Sequence, residues 1–468
     1  MLFTAPAFVF LFLPLATIFC ALFGKNRKKL CLVCVCGVFH IMLNLHSLWN
    51  LVWLPLLVLY AYFAARIAVG VKRRVLGVAM GALPVVWLIL VRQLAYFSDF
   101  GYVYPTGITL PALCAAAYIW DVTYGDTAEE DFRELWLYIT FFPIMLVGPF
   151  VDYQSFKKLT EDDAIDMSLP RFSDGIRLFI IGFIKRIAVG AVLIDGYDKI
   201  FAYSWDSPNL AIILLLLMLI YFGVFFSLSG YYDMAVGISR MFGINVPEVD
   251  AHPFKTATVN EYSKALFGSV RTWTAKYIVR PLGEATGRQG STLFKITVFC
   301  VCTVVFVRTE LSALLVCIPL IAFSMASATL KLDKAHKDGR AGLRTVFGML
   351  TVLVIGVFWM FMTISGSNPS VLDYIADISF DNAEYQTDMV LISFSGRKYL
   401  FVSLIGAVTL IPRTKWVESI RARLSVRAAA AVDYLGLAAL LAMFVCCAIF
   451  FLPQFEMYNY SPFRYIII

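Results

Sequence analysis

Apolar runs of bilayer length recur along this chain, near 2–23, 30–46, 48–70, 75–95, 107–122, 176–196, 208–228, 291–307, 311–330, 345–366, 389–411 and 429–453. A helix needs about 17 to 25 predominantly apolar residues to cross the hydrocarbon core, so the pattern predicts roughly 10–12 transmembrane helices. Composition agrees: 60% of residues are hydrophobic and 15% charged, where an average soluble domain carries about 25% charged residues. The expected fold class is an all-α polytopic membrane protein. The first run lacks a basic stretch in front and a small-residue cleavage site behind, so it is expected to stay in the membrane.

The formal net charge of +7 does not indicate nucleic acid, because the cations fall in short clusters between the runs: 25–29, 72–74, 331–344 and 413–427. Such clusters mark cytoplasmic loops under the positive-inside rule. Placing all four in the cytosol predicts a multi-pass protein of the plasma or inner membrane with both termini outside. The segment 367–388, which holds five acidic residues and no Lys or Arg, is then external.

All ten cysteines lie in apolar runs. Cys31, Cys34 and Cys36 have a zinc-like spacing without a matching second pair, and a complete site wants four ligands, so no metal is expected. No repeat or low-complexity tract divides the chain. It reads as a single domain over 1–468, with N-terminal helices over 1–100, a core over 101–330 and C-terminal helices over 331–468.

Three segments break the pattern. In "ELWLYITFFPIMLVGPFVDYQSF" (134–156), Pro143 and the pair Gly148-Pro149 interrupt the helix; irregular backbone at membrane depth must be buried in protein or line a wet cavity. In "SLSGYYDMAVGISRMFGINVPE" (227–248), Asp233 and Arg240 are seven residues apart and share a helical face, with Ser227, Ser229 and Tyr232 nearby. Two readings stand: a surface helix with a solvated stripe, or the wall of an internal chamber. In "FCVCTVVFVRTELSALLVCIPLIAFSMA" (299–326), Arg308 and Glu310 interrupt an apolar run. A charge at the bilayer centre costs about 2.5–3.5 kcal/mol on insertion scales, so these two either face protein or mark a break. Between the last two segments, "TATVNEYSKALF" is too polar to span and predicts an interfacial amphipathic helix capped by Thr258 or Asn260.

The segments "PTGITLPALCAAAYIWDVTYG", "FFPIMLVGPFVDYQSF", "FSDGIRLFIIGFIKRIAVGAVLID" and above all "SGYYDMAVGISRMFGINVPE", in this order, resemble the membrane-bound O-acyltransferase family in its alginate O-acetyltransferase-like branch. The resemblance implies helices, some re-entrant or interfacial, around a central funnel. It implies an acyl donor such as acyl-CoA or an acyl carrier, no bound cofactor, and an acceptor hydroxyl on envelope or secreted polysaccharide. Envelope partner proteins belong to the same picture.

The family's chemistry centres on two histidines, in motifs of the type "EFWRRWHISLS" and "LWHG". In "EYSKALFGSVRTW", Glu261, Ser269 and Trp273 fit the first motif while Phe267 stands at the histidine position. Arg308 aligns with the second, and no histidine occurs between His252 and His336. Acyl transfer to a hydroxyl needs a proton acceptor, and arginine offers only donors. Glu310 is the nearby candidate base, its pKa raised by desolvation; on a regular helix it points about 200° from Arg308. An ion pair of Arg308 with Glu310 or Asp233 is the competing role for these charges.

The candidate chamber residues are therefore Tyr232, Asp233, Arg240, Glu261, Trp273, Arg308 and Glu310. His40 and His46 read as core or interface histidines, His252 precedes a proline in a loop, and His336 sits among lysines. Asp152 stands where relatives often carry arginine. The favoured reading is a divergent or non-catalytic family member; the alternative is an active O-acyltransferase with another base. A transporter is compatible with hydropathy, but no inverted repeat or matched pair of broken helices supports it.

Overall fold

The computed structural model describes residues 3–23, 27–44, 48–71, 74–97, 107–125, 128–129, 131–146, 150–203, 210–248, 258–288, 291–307, 317–330, 341–364, 438, 440–445 and 449. The regular structure among them is helical. A π-turn, Ala7–Phe12, leads into α1 (Leu13–Phe23), followed by α2 (Lys28–Asn44), α3 (Leu48–Val71), α4 (Arg74–Phe97) and α5 (Thr109–Tyr124). Three short helices come next: α6 (Phe132–Thr140), α7 (Phe142–Met145) and α8 (Tyr153–Leu159). α9 (Leu169–Ile184) runs through a π-segment, Lys185–Ala191, into α10 (Val192–Tyr203) and is followed by α11 (Leu210–Met241). α12 (Val259–Thr274) passes through a second π-segment, Ala275–Val279, into α13 (Arg280–Thr286), and α14 (Thr292–Val307), α15 (Cys317–Thr329) and α16 (Ala341–Ile364) complete the order.

Two described helices are both long and apolar enough to cross a membrane, Leu51–Val69 and Leu210–Met241. Shorter apolar helices cover Ala7–Phe23, Val75–Val91, Thr292–Cys302, Ile318–Thr329 and Val346–Met360. The runs expected at 389–411 and 429–453 lie wholly or mostly outside the described residues. α11 continues without interruption to Met241, so Asp233 and Arg240 stand on one helix. At about 1.5 Å per residue, its 32 residues extend about 48 Å, beyond a hydrocarbon core of about 30 Å.

α11 is the central post, and α9, the first π-segment, α10, α16 and α7 all pack on it. Glycine explains how α9 lies so close. A Cβ added to Gly175 would meet the Gly237 carbonyl oxygen at 2.7 Å, and one added to Gly182 would meet that of Gly230 at 2.5 Å. Farther along, a Cβ on Gly190 would meet Ser227 Oγ at 2.5 Å. Small residues let helix backbones approach where side chains would hold them apart. On α11 the seam repeats every seven residues, at Gly223, Gly230 and Gly237; on the facing helix there are seven residues from Gly175 to Gly182 and then eight to Gly190. The π-segment Lys185–Ala191 widens the turn where that extra residue falls, which keeps the glycines facing the seam beyond it.

The described residues of the interrupted segment 134–156 form a hairpin, with α8 packed back on α6. Asp131 caps α6, accepting from the Arg133 amide at 2.8 Å. The helix breaks at Phe141 (φ −59°, ψ 98°) and restarts with a proline in the first turn of α7. At the tip, Phe142 packs against Phe39 with ring centres 5.0 Å apart and against Phe242 at 5.5 Å. At the base, Glu129 takes a hydrogen bond from Tyr153 Oη at 2.6 Å and an ion pair from Lys157 at 2.6 Å. Lys29 pairs with Glu134 at 2.6 Å, and Lys28 Nζ donates to Ile165 O at 2.7 Å. The start of α2 is thereby pinned to the hairpin base.

Candidate functional site

α12 begins where the sequence places it. Thr258 is the cap, its Oγ1 accepting from the Glu261 amide at 3.2 Å, which satisfies one of the free N–H groups of the first turn. The helix is not regular throughout: Phe267 has φ −116° and ψ 24°, a kink inside α12. That kink lies beside a cleft formed by α12, α14, α15 and α16, with about 610 Å³ of empty space including its open mouth.

The cleft walls are mainly apolar, with Phe267, Phe299, Ile355 and Phe358 prominent. Asn260, Ser263, Arg271, Cys300 and Ser324 supply the polar atoms. The Arg271 guanidinium lies over the Phe299 ring, 4.4 Å from its centre. Behind Phe267, whose ring is 6.4 Å from Trp359, the wall is set by a buried bond from Trp359 Nε1 to Tyr262 Oη at 3.0 Å. Tyr262 in turn packs on Tyr221 of α11, ring centres 5.5 Å apart. Rings held this way keep the wall in one shape, since the partner of a buried Tyr or Trp polar atom fixes the ring's orientation.

Chemically the cleft suits an apolar or mixed group held by a few donors. Among its described lining residues there is no His, Asp or Glu.

The residues singled out in the sequence do not gather here. Phe267 lines the cleft, and Glu261 sits in the first turn of the same helix. Trp273 is fully buried elsewhere, donating from Nε1 to Leu113 O at 3.1 Å and packing on Trp120 at 5.9 Å and Tyr277 at 5.5 Å. Asp233 pairs with Lys185 at 2.6 Å, Arg240 pairs with Glu248, and Tyr232 is buried in the core. Arg308, Glu310, His46, His252 and His336 lie outside the described residues, and so does any pairing of Arg308.

Asp152 has a local role: it caps α8, accepting from the Ser155 amide at 3.1 Å and from Ser155 Oγ at 2.9 Å. His40 is buried, its Nε2 3.0 Å from Leu51 O and its ring edge-on to Trp53. Cys31 and Cys36 are buried while Cys34 is exposed.

The sequence reading missed Lys185 and Arg186. Two adjacent cations inside the apolar run 176–196 were signal enough, because ionisable residues within a span mark buried pairs or sites.

Comparison with known proteins places this arrangement. Residues 131–326 match the family model described as MBOAT, membrane-bound O-acyltransferase family. The match takes in residues 131–326 of 468, less than half of the chain. It contains the hairpin, the glycine seam, α12 and much of α15. The chain is 26% identical over 292 residues to the probable alginate O-acetylase AlgI of Pseudomonas fluorescens, covering 60% of this chain and 57% of that protein. It is 27% identical over 321 residues to the protein of the same name from Pseudomonas aeruginosa, covering 62% and 58%. A peptidoglycan O-acetyltransferase of Helicobacter pylori is 24% identical over 343 residues, covering 60% and 62%. The match thus spans about three fifths of each of these relatives.

Proposed function

We propose that this chain is a divergent membrane-bound O-acyltransferase homologue that binds a donor or acceptor group in the α12–α16 cleft but lacks the family's histidine-based transfer. One observation carries the reading: Phe267, which the motif resemblance sets at a histidine position, lines the cleft at a kink in α12. Forming an ester from an acyl donor and a sugar hydroxyl requires the hydroxyl proton to leave as the new C–O bond forms. Neither a phenyl ring nor a guanidinium accepts it.

The ligand class follows from the relatives, whose names are those of alginate and peptidoglycan O-acetyltransferases. The acceptor is then an envelope or secreted polysaccharide and the donor an activated acetyl or similar acyl group. Envelope partner proteins are expected at the outer face. The alternative, an active transferase with Glu310 as base, keeps the same cleft and substrates. The chain is read as one membrane domain, 1–468, which the contiguous packed core from Phe3 to Met360 supports. Both termini lie outside; cysteines introduced at Ala335 and Ser367 should then label from opposite sides of sealed cells, and labelling from one side refutes the orientation.

Cys300 provides the test of the cleft itself, since it lines the space beside Phe299. Acetyl coenzyme A or a soluble envelope polysaccharide should slow alkylation of Cys300, followed by mass spectrometry, while exposed Cys34 on α2 reacts at an unchanged rate. Equal rates at Cys300 with and without either ligand contradict binding in this cleft.

A further inference from the structure

α12 forms one wall of the cleft, yet its two halves are held by different parts of the protein. Upstream of the kink at Phe267, Tyr262 accepts from Trp359 Nε1 at 3.0 Å and packs on Tyr221 of α11. Downstream, the contacts run to α5. Trp273 Nε1 donates to Leu113 O at 3.1 Å, and Tyr277 Oη donates to Asp121 Oδ2 at 2.6 Å. Lys276 Nζ pairs with the same carboxylate, 2.8 Å from Oδ1. Asp121 is the better buried partner, with 10% of its side chain exposed against 48% for Lys276.

The kink separates the two halves mechanically. A regular helix carries the position of one turn to the next through its backbone hydrogen bonds, and the non-helical Phe267 (φ −116°, ψ 24°) interrupts that ladder. Gly268 follows it, and a Cβ there would meet nothing within 4 Å, so open space borders the joint. Val259, Asn260, Tyr262 and Ser263 line the cleft from the first half, and Arg271 lines it from the second. Where Arg271 stands against the first half is therefore set by what holds the second. Tyr277 is six residues beyond Arg271, about 9 Å along the axis. Lys276 and Tyr277 both reach one carboxylate because they lie in the π-segment Ala275–Val279, whose wider turn brings successive side chains nearer in angle than the about 100° of an α-helix.

We propose that Asp121 is a positioning residue for the α12–α16 cleft: by clamping Lys276 and Tyr277 it fixes the second half of α12, and Arg271 with it. The Arg271 guanidinium, 4.4 Å from the centre of the Phe299 ring, is the contact through which the clamp holds the cleft narrow beside Cys300. This role rests on the cleft being the ligand site, but it is measurable with no ligand present.

The test follows alkylation of Cys300 by N-ethylmaleimide, read by mass spectrometry, in the purified full-length protein in detergent, with exposed Cys34 as the reference thiol. D121N removes the ion pair, and K276M/Y277F removes both partners of the carboxylate. Each should speed Cys300 by at least about twofold, the factor that the low end of one hydrogen bond's net contribution gives when that bond holds a site closed, while Cys34 keeps its rate. D121N/K276M/Y277F should react no faster than K276M/Y277F, because all three changes break one clamp. G230A, which loosens the α9–α11 seam instead, should leave Cys300 at the wild-type rate. An unchanged Cys300 rate in D121N and K276M/Y277F, a rise shared by Cys34, the same rise in G230A, or effects that multiply in the triple variant each overturn the proposal. Should D121N not fold, Y277F alone, which keeps the ion pair, decides: faster alkylation of Cys300 supports the clamp and the wild-type rate overturns it. Protection of wild-type Cys300 by acetyl coenzyme A together with an unmoved rate in D121N removes the clamp and keeps the binding site; a faster D121N without protection does the reverse.

Discussion

Replacing Gly230 with alanine pushes a methyl group into the backbone of the facing helix. The new Cβ would sit 2.6 Å from the Gly182 carbonyl oxygen and 2.9 Å from the Arg186 amide nitrogen, where ordinary contact starts at 3.4 Å. The difference of 3.4 − 2.6 = 0.8 Å has to come from parting the helices, because neither neighbour is a side chain that can swing aside. A gap of 0.5–1 Å forfeits a quarter to a half of each contact's attraction, and the loss is shared along the seam. Overpacking of this kind costs about 1–3 kcal/mol, offset in part by the roughly 0.8–1.0 kcal/mol that alanine gains over glycine in a helix. With an unfolding entropy of about 2.1 cal/mol/K per residue, a chain of this length loses about 1 °C per kcal/mol. G230A should therefore melt up to about 2 °C lower by tryptophan fluorescence in detergent. G37A is the internal control, since a Cβ there meets nothing within 4 Å; it should melt at the same temperature or higher. Adding G182A to G230A should cost less than the sum, because one separation relieves both contacts. Equal shifts of the same sign in G230A and G37A would refute the close-approach argument.

Breaking the pair of Lys185 and Asp233, whose side chains are 14% and 18% exposed, strands a carboxylate inside the bundle. K185M should cost about 3 kcal/mol and K185M/D233N distinctly less, and equal melting of the two variants would show that the pair does not couple. At the hairpin base, burial alone would raise the Glu129 pKa, but hydrogen bonds from Lys157, Tyr153 and the Asp131 amide outweigh it and hold the carboxyl below its ordinary value. A lowered folded-state pKa contributes stability above the unfolded value of about 4.3 that disappears as pH falls through the folded value. Wild-type stability should drop through that acid range while E129Q, already less stable at neutral pH, shows a shallower acid limb. Parallel acid limbs in the two proteins would remove Glu129 from the account.

Much of the local structure is legible in the sequence because it depends on single residues. Pro143 places the hairpin break within two residues of Phe141, and Thr258 caps α12 as a threonine before a polar helix should. Helix lengths were less legible. The apolar run 208–228 ends where polar side chains begin, yet α11 continues to Met241, because Ser227, Ser229 and Asp233 find partners on or across the seam and need no water. The seven-residue glycine spacing stands in the sequence, but which helix it faces is a property of two segments and not of either alone. Trp273 shows the limit for the site: a cavity wall and a packed core ask for the same aromatic residue, and here the ring went to the core beside Trp120. Arg186 escaped notice because hydropathy averages over a run, whereas the cost of a buried cation falls on one atom group.

The proposed function turns on whether acyl transfer occurs without the family's histidine route. Transfer of radiolabelled acetyl from acetyl coenzyme A to envelope polysaccharide, measured beside a family member that carries both histidines, tests it most directly. General-base assistance is worth about 10² to 10⁴ in rate, so this chain should fall at least about 100-fold below the control, and R308H alone should not restore the loss while Phe267 occupies the cleft. Transfer at a rate near the control's would contradict the account, and if that activity then vanished in E310Q with the fold intact, Glu310 would be the base.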